Sequence, residues 1–582
     1  MQGLLNEASA AFRAGRLDDA EAMLEDALAR SPRIPGAHDV LARIALSRGR
    51  PGDAIAHSQK ALAIAGENPI FHNTLVKAVA EAGALDSALA EYGRLVAAHP
   101  ESFGAAYGHA MLLLEVGRKD DAVAGFRRAL AIRPDALPAK RGIMKACEAG
   151  YRFEEAARAA SELVAAGVRD PGIFISLGRS LHELRNYPGA AEAFGKALEL
   201  DQENPAALSG LSASLGAGGR PDEGRETARR LFAISPVYRN LSPAEAEADI
   251  LVVSALKDGY FPKPKAGNAV FAPGNAISQV PPRRLNFHYI YADCPDLVSA
   301  ALKSGPFDAV YNNAANAESV AEYGLADIVN TLCGALALPV ANPPAAVALT
   351  SRQRNAERIP AGFDVIFPKT RRFGADMGSL AATRAAIEAE FGFPVLLRDV
   401  MSHHDTDIVL AHEPAGLMEG ILKFAAANRD FYAIEYCTEE YGPGIFRKLR
   451  ASVIDGKFYP VHIGFSPNWN VHRAPMDIDE IAFMKARPDL MESEKSYLRD
   501  PEGYIGAENV ARLEGIAGQA GMDYLGIDYC LRRDGKIIIF EANAAMNAVH
   551  ANRTGDFPYL AERAGEIIGA FENMLLRKAG RR

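Results

Sequence analysis

Over the first 235 residues, apolar and small positions recur with a fixed step. The pairs Ala27-Leu28, Ala61-Leu62, Leu95-Val96, Ala129-Leu130, Leu163-Val164, Ala197-Leu198 and Leu231-Phe232 stand 34 residues apart. A helix-ending residue precedes each pair: Gly15, Gly49, Gly83, Gly117, Gly150, Asn186 and Gly219, in steps of 34, 34, 34, 33, 36 and 33. A proline follows each: Pro32, Pro69, Pro100, Pro134, Pro171, Pro205 and Pro236. Glycine or asparagine after a helical run permits the left-handed cap. Small residues a few positions later (Ala20, Ala54, Ala88, Ala122, Ala156) let two helices approach closely. The proline is expected to end the second helix. The pattern therefore predicts seven units of helix, turn, helix.

A repeat of this length and phase resembles the tetratricopeptide repeat. One unit cannot bury its apolar face alone, so stacked units form an all-α solenoid over residues 1–240. The resemblance implies a concave groove for a peptide or protein segment. The other reading is a spacer or a dimer surface.

After Pro236 the helical period gives way to alternating strand-like and helical segments. Residues 248–256, 285–293, 307–314 and 337–344 read as strands between helices, which predicts a parallel sheet over 246–345. Phe261 to Pro282 is rich in Pro and Gly and reads as an exposed loop. Asn312 and Asn313 end the third strand, where such sheets bind ligands; a turn-forming asparagine pair is the equal alternative. From 346 to 578 the strands at 364–373, 394–400 and 429–437 precede two hairpins, 447–466 turning at Asp455-Gly456 and 524–547 turning at Asp534-Gly535. Residues Asp477 to Asp500 are charged and helical and read as a lid or surface insertion.

Composition narrows the class. Hydrophobic residues are 49%, charged residues 24%, and the net charge is -9, which gives no electrostatic reason to expect nucleic acid or an anionic membrane. No apolar run is long enough to span a bilayer, and the first twenty residues lack the layout of a signal peptide. Five scattered cysteines, none in a CxxC pair, fit a reducing compartment, so the expected location is cytoplasmic.

The second hairpin holds the sharpest chemical pattern. Glu541 and Asn543, two apart, project from one face of a strand, and the turn returns Asp528 beside them. Three convergent oxygen-bearing side chains suit Mg²⁺. With this set, residues from about 246 to 578 resemble the ATP-grasp superfamily, closest to its glutathione synthetase-like and ribosomal-modification-type ligases. The resemblance implies an α/β pre-grasp lobe over 246–345, ending in Asn342-Pro343, and an α+β ATP-grasp domain over 346–578. It implies ATP and Mg²⁺ as cofactors, with Asp528, Glu541 and Asn543 holding the metal. It places Arg398 and, more weakly, Lys369 at the phosphates, Glu435 and Tyr436 at the adenine hinge, and Arg450 with Lys448 at the transferring phosphoryl group. The segment after Arg398 departs from the family, reading MSHHDTDIV where a glycine-rich loop is common, and arginine replaces the commoner lysine.

The implied activity is an ATP-dependent carboxylate–amine or carboxylate–thiol ligase. Its small-molecule or peptide substrates would react through an acyl phosphate, with the repeats recruiting a peptide or protein. The alternative is a non-catalytic nucleotide-binding scaffold. His403, His404 and His412 read as loop residues near a ligand rather than zinc ligands. Trp469, the single tryptophan, is either a core anchor or a substrate-side contact.

Overall fold

The computed structural model describes residues 2–256, 261, 263–264, 270–271, 277, 280–315, 317–374, 376–400, 408–471, 480–549 and 553–581. The chain divides into two compact units: Met1–Gly224 with Pro264–Ala269, and Arg225–Lys263 with Val270–Arg582.

The repeat region is fourteen helices in seven pairs. After Gln2–Arg13, the first helix of each pair begins at Pro35, Pro69, Phe103, Leu137, Pro171 and Pro205. The second begins at Leu17, Pro51, Leu85, Lys119, Phe153, Tyr187 and Pro221. Both series step by 34. Ala20, Ala54, Ala122 and Ala156 are fully buried, as close helix approach requires, while Ala88 is half-buried. Phe194 shows how close: a Cβ on Gly178 or Gly210 would fall 2.9 Å or 2.2 Å from its ring.

Two sequence markers are corrected. Pro69, Pro171 and Pro205 do not end second helices; they open first helices, where the missing N–H is no loss. Pro32, Pro100, Pro134 and Pro236 do follow second helices. The left-handed turn residue is Gly15, Gly49, Gly83, Gly117, Tyr151, Arg185 and Gly219, in unbroken steps of 34. Gly150 and Asn186 are neighbours of that position: Gly150 has φ -90, and Asn186 caps the next helix by accepting the Gly189 N–H.

Among the described residues, the second unit contains three sheets of four or five strands. In the first, β1 (Val237–Asn240), β2 (Ala248–Ser254), β3 (Leu285–Tyr291), β4 (Ala309–Asn312) and β5 (Val340–Ala341) lie in the order β1-β3-β2-β4-β5. All neighbours are parallel except β1 with β3, and β1 was not anticipated. The second sheet is antiparallel: β6 (Thr370–Phe373), β7 (Val395–Asp399), β8 (Ile408–Ala411) and β9 (Phe431–Glu435), in the order β8-β7-β9-β6. Helices Leu380–Glu390 and Pro414–Ala426 cover it through Ile387, Leu417, Ile421 and Phe424. The third holds β10 (Glu440–Gly442), β11 (Ile445–Ile454), β12 (Lys457–Ser466), β13 (Tyr524–Leu531) and β14 (Ile537–Asn543), with β11 between β12 and β13 and β13 pairing β14. Asp455 and Gly456 both have positive φ, the two-residue hairpin turn expected from their sequence.

The first and third sheets are tied by one side chain. Asn342, fully buried with φ 55, donates Nδ2–H to the Tyr524 carbonyl at 3.1 Å and accepts the Asp523 and Tyr524 N–H groups at 3.0 and 2.9 Å. The segments 246–345 and 346–578 thus belong to one unit.

Two further expectations change. In the Pro/Gly-rich segment, the described residues Phe261, Ile277 and Val280 are buried rather than exposed. Within 477–500, helix Pro488–Arg499 is not a surface insertion: Leu490 and Tyr497 join the main core, and Tyr497 donates to the Arg450 carbonyl at 3.0 Å. Among the described residues, no helix is long and apolar enough to cross a membrane.

Candidate functional site

A cleft of about 790 Å³ is lined by both the second and the third sheets. Its apolar wall includes Leu396, Ile408, Ile434 and Phe540, and its polar wall Arg352, Arg398, Lys448, Asp528 and Glu541. The segment Glu435 to Thr438, running on from the last residue of β9, also lines it. An apolar slot beside clustered cations is what a nucleotide needs: a dry face for the base and positive charge for the phosphates.

Strand register explains the polar wall. Arg450 on β11 stands opposite Asp528 on β13, and Asp528 stands opposite Glu541 on β14. Arg450 grips Asp528 with two bonds, 2.6 and 2.7 Å, and Lys448 Nζ lies 3.2 Å from the same carboxylate. Burial alone would lower the Arg450 pKa, but the Asp528 charge raises it on balance, so Arg450 stays charged. Glu541 accepts from Asn543 Nδ2 at 2.7 Å and pairs with Arg352 at 2.9 Å. Burial opposes the Arg352 charge too, and Glu541 with Glu318 raises its pKa on balance.

Arg352 escaped the sequence reading. It opens helix Arg352–Gly362, and its Nη1 donates to the Phe540 carbonyl at 2.8 Å. Helix N-termini repel cations, so an arginine there carries no sequence signal; only the folded contact with β14 exposes its role.

The other candidates fall into place unevenly. Arg398 is buried and lines the cleft, and the exposed Glu435 and half-buried Tyr436 line it too. Burial raises the Tyr436 pKa, and its ring meets Trp469 edge-on at 5.6 Å. Trp469 lines the cleft and is half-buried, which favours a ligand contact over a core anchor. Burial, with Glu435 adding, pushes the neighbouring Cys437 thiol up to about 12. Lys369 is displaced: its ammonium lies 3.4 Å from Glu390 and over the Phe391 ring, outside the cleft lining. Its backbone instead holds the start of the Glu435 to Thr438 segment, its carbonyl accepting the Glu435 N–H at 2.8 Å. Asn543 spends its carbonyl oxygen on the Ala545 and Met546 N–H groups at 2.9 and 3.0 Å, so the anionic oxygens of the set are those of Asp528 and Glu541. Asn312 and Asn313 bind within the first sheet region, to the Asn342 carbonyl and Ser254 hydroxyl. His412 is exposed, and His403 and His404 lie outside the described residues.

Whether this donor set fits a metal is a question of charge. Asp528 and Glu541 carry two negative charges; Arg352, Lys448 and Arg450 carry three positive ones within bonding reach. A bare divalent cation would meet a net positive cluster. A cation arriving with a polyphosphate meets hard oxygens and brings the anion that offsets the surplus. The residues therefore fit a metal–nucleotide complex.

Comparison with known proteins addresses the repeat region. One tetratricopeptide-repeat family model matches residues 5–69, 149–205 and 175–238, and a second matches 45–112. Similar solved structures include YrrB, a tetratricopeptide-repeat protein with an unusual peptide-binding site, 21% identical, covering 25% of this chain and 75% of its own with a TM-score of 0.23. A MamA protein is 15% identical, covering 29% and 92%, with a TM-score of 0.27. A repeat protein from Parabacteroides merdae is 16% identical, covering 40% and 93%, with a TM-score of 0.29. No curated protein matches the chain. The matched stretches consist of tetratricopeptide repeats, an architecture that implies a peptide or protein partner.

Proposed function

We propose that the second unit is an ATP- and Mg²⁺-dependent ligase joining a carboxylate to an amine or thiol, and that the repeats recruit its peptide or protein partner. The observation that carries this reading is the row Arg450, Asp528 and Glu541 across three adjacent strands, of which Asp528 and Glu541, with Lys448, line a cleft whose other wall is apolar, while Arg450 stands behind Asp528 outside the lining.

A carboxylate is a poor acyl donor because its leaving group would be oxide. In the proposed reaction its oxygen bonds to the γ-phosphorus of ATP as the bond to the ADP oxygen breaks. The amine or thiol then attacks the acyl carbon, phosphate leaves, and the nucleophile's proton passes to solvent. Lys448, Arg352 and Arg398 would offset repulsion between the two anions, and Arg450 keeps Asp528 ionised and oriented. Asp528 and Glu541 would hold the metal, which supplies Lewis-acid charge neutralisation when bound. Glu435, Tyr436 and Trp469 would enclose the base.

The second reading, a nucleotide-binding scaffold without turnover, is favoured by how fully Arg450 and Lys448 occupy Asp528. ATP titration of the wild type and Glu541→Ala, with and without Mg²⁺, followed by ADP release against pooled acceptors, decides between them. Metal-dependent binding lost in Glu541→Ala, with ADP release, supports the ligase. Binding without ADP release supports the scaffold, and no binding removes both.

A further inference from the structure

The third helix pair packs unlike the other six. Leu95 in helix Leu85–Ala98 is 39% exposed, while the residues at its place in the other pairs, Ala27, Ala61, Ala129, Leu163, Ala197 and Leu231, are fully buried. Ala88 is half-buried where Ala20, Ala54, Ala122, Ala156 and Ala190 are fully buried. The second helix of this pair therefore stands off from its first helix, Pro69–Glu81, along the face that carries Ala88 and Leu95. Tyr92 still crosses the gap: its hydroxyl donates to His72 Nδ1 at 2.7 Å, and His72 Nε2–H donates to the Gly66 carbonyl at 2.6 Å. A carbonyl can only accept, which fixes that tautomer.

The gap is a cavity of about 340 Å³ between these two helices and Pro51–Ile64. Ile55, Leu62, Leu75, Val79, Ala88 and Leu95 give it apolar walls. Its charged lining has one sign: Glu67 and Glu91 line it, and among the described residues no lysine or arginine does. Glu67 is spent on the Ser102 hydroxyl at 2.6 Å and the Gly104 N–H at 3.0 Å, with Arg133 3.8 Å away. Glu91 is exposed and pairs with no cation among the described residues. Burial holds the His72 imidazole below its ordinary pKa, so it adds no positive charge at neutral pH.

We propose that this cavity holds a bulky apolar side chain of a peptide whose next residue is a lysine or arginine, with the apolar group between the parted helices and the cation at Glu91. The proposal rests on the reading that the repeats recruit a peptide or protein. It adds the chemistry that anchors the partner and its place, inside one parted pair rather than along the row of first helices. The other pairs fill the equivalent space with their own alanine or leucine; here an outside side chain supplies the missing contacts. An acidic neighbour would meet Glu91 with no cation in the lining to compensate, so the flanking charge is positive. The volume lies at the lower end of ligand pockets, which suits a side chain rather than a helix.

The test uses the full-length protein and fluorescence anisotropy at low ionic strength. The probes are labelled Gly/Ser peptides with Phe-Lys, Leu-Lys, Ala-Lys or Phe-Glu at the centre. Phe-Lys or Leu-Lys should bind, with Ala-Lys at least about tenfold weaker and Phe-Glu about threefold weaker. Ala63 is an exposed residue of the lining, so Ala63→Trp should fill the cavity, weaken the apolar peptides at least about tenfold and leave a non-hydrolysable ATP analogue within about twofold. Glu91→Lys should reverse the order of Phe-Lys and Phe-Glu. The wild-type comparison needs no variant and stands if Ala63→Trp misfolds. No binding by the apolar peptides, Ala-Lys equal to Phe-Lys, or a Phe-Lys affinity unmoved by Ala63→Trp would overturn the proposal; the recruitment reading survives all three, with its partner held elsewhere. Binding as expected, with no effect of the peptide on ADP release against pooled acceptors, would keep the site and sink recruitment.

Discussion

Gly117 and Tyr151 stand one repeat apart and make the same left-handed turn, with φ 80 and 59. Arg185, another 34 residues on, repeats it with φ 59. A side chain in this conformation costs about 1–2 kcal/mol, whereas glycine bears no such strain but gives up about 0.5–1 kcal/mol of chain entropy. Arg185→Gly should therefore raise stability by roughly 0.5–1 kcal/mol, and Gly83→Ala should lower it by about 1 kcal/mol. Urea denaturation of the full chain, followed by a probe in the repeats, checks both. An unchanged or lowered midpoint for Arg185→Gly would show the turn to be unstrained.

Glu148 gives the repeats a pH dependence. It sits in helix Leu137–Ala149 with a side chain 10% exposed; one carboxylate oxygen accepts from Ser176 at 3.1 Å, the other has no hydrogen bond, and Arg179 is 3.8 Å away. Burial raises its pKa above the usual 4.5, with Arg179 and Ser176 only partly offsetting it. A raised folded pKa means the native state binds the proton more tightly, so this group's contribution favours folding at low pH and turns against it as pH rises from 4.5 through the folded value. Glu148→Gln should stabilise the protein at pH 7, and the gain should shrink to nothing below pH 4.5. Melting curves of both proteins across that range give the answer. A gain that persists in acid would assign the effect to packing instead.

These two sites show what sequence could and could not reveal. The repeat period was legible because every unit solves one packing problem with small residues at fixed places, such as Ala20 and Ala122. The turn position at Tyr151 and Arg185 was not, because glycine at 150 and asparagine at 186 imitate the signal one residue away. In the second unit, strand alternation announced β2, β3 and β4, and the Asp455-Gly456 turn was written in two residues. The row Arg450, Asp528 and Glu541 was partly legible, since spacing along each hairpin fixes its faces. Arg352 and Glu318 were invisible: they join the site through long-range packing that no local pattern encodes. Lys369 failed for the complementary reason, because nearness to the cleft in sequence does not say which way a side chain turns.

Lys369 and Lys448 therefore make a discriminating pair. Lys448 lines the cleft with Asp528 at 3.2 Å, while Lys369 pairs with Glu390 away from it. Removing a cation that meets phosphate should cost at least about tenfold in affinity, and removing a remote one under about twofold. Calorimetry of Lys448→Ala and Lys369→Ala with a non-hydrolysable ATP analogue compares them directly. Equal losses would mean that β6 reorients on binding, and a loss for Lys369→Ala alone would displace the phosphates from the Arg450 row.

Asn342 offers the most exacting test of how the second unit holds its site. Its side chain supplies one donor and two acceptor bonds to the backbone of Asp523 and Tyr524, at the start of the strand that carries Asp528. Its own N–H donates to the Asp523 carboxylate at 2.8 Å, and its carbonyl accepts Asn312 at 3.0 Å. It does this at φ 55, where asparagine is among the few tolerated side chains. Asn342→Ala removes the side-chain bonds and keeps the backbone strain, so about 3–5 kcal/mol should be lost. Asn342→Gly removes the same bonds and relieves the strain, so it should cost roughly 1 kcal/mol less. Asn342→Asp keeps the acceptors but exchanges the donor for a buried charge, so it should fall below wild type and regain stability as pH is lowered. Denaturant unfolding of the three variants orders them. If glycine matches wild type, the backbone conformation alone is what the position requires; if glycine and alanine fall together well below it, the bonds to Asp523 and Tyr524 hold β13, and with it Asp528, in register.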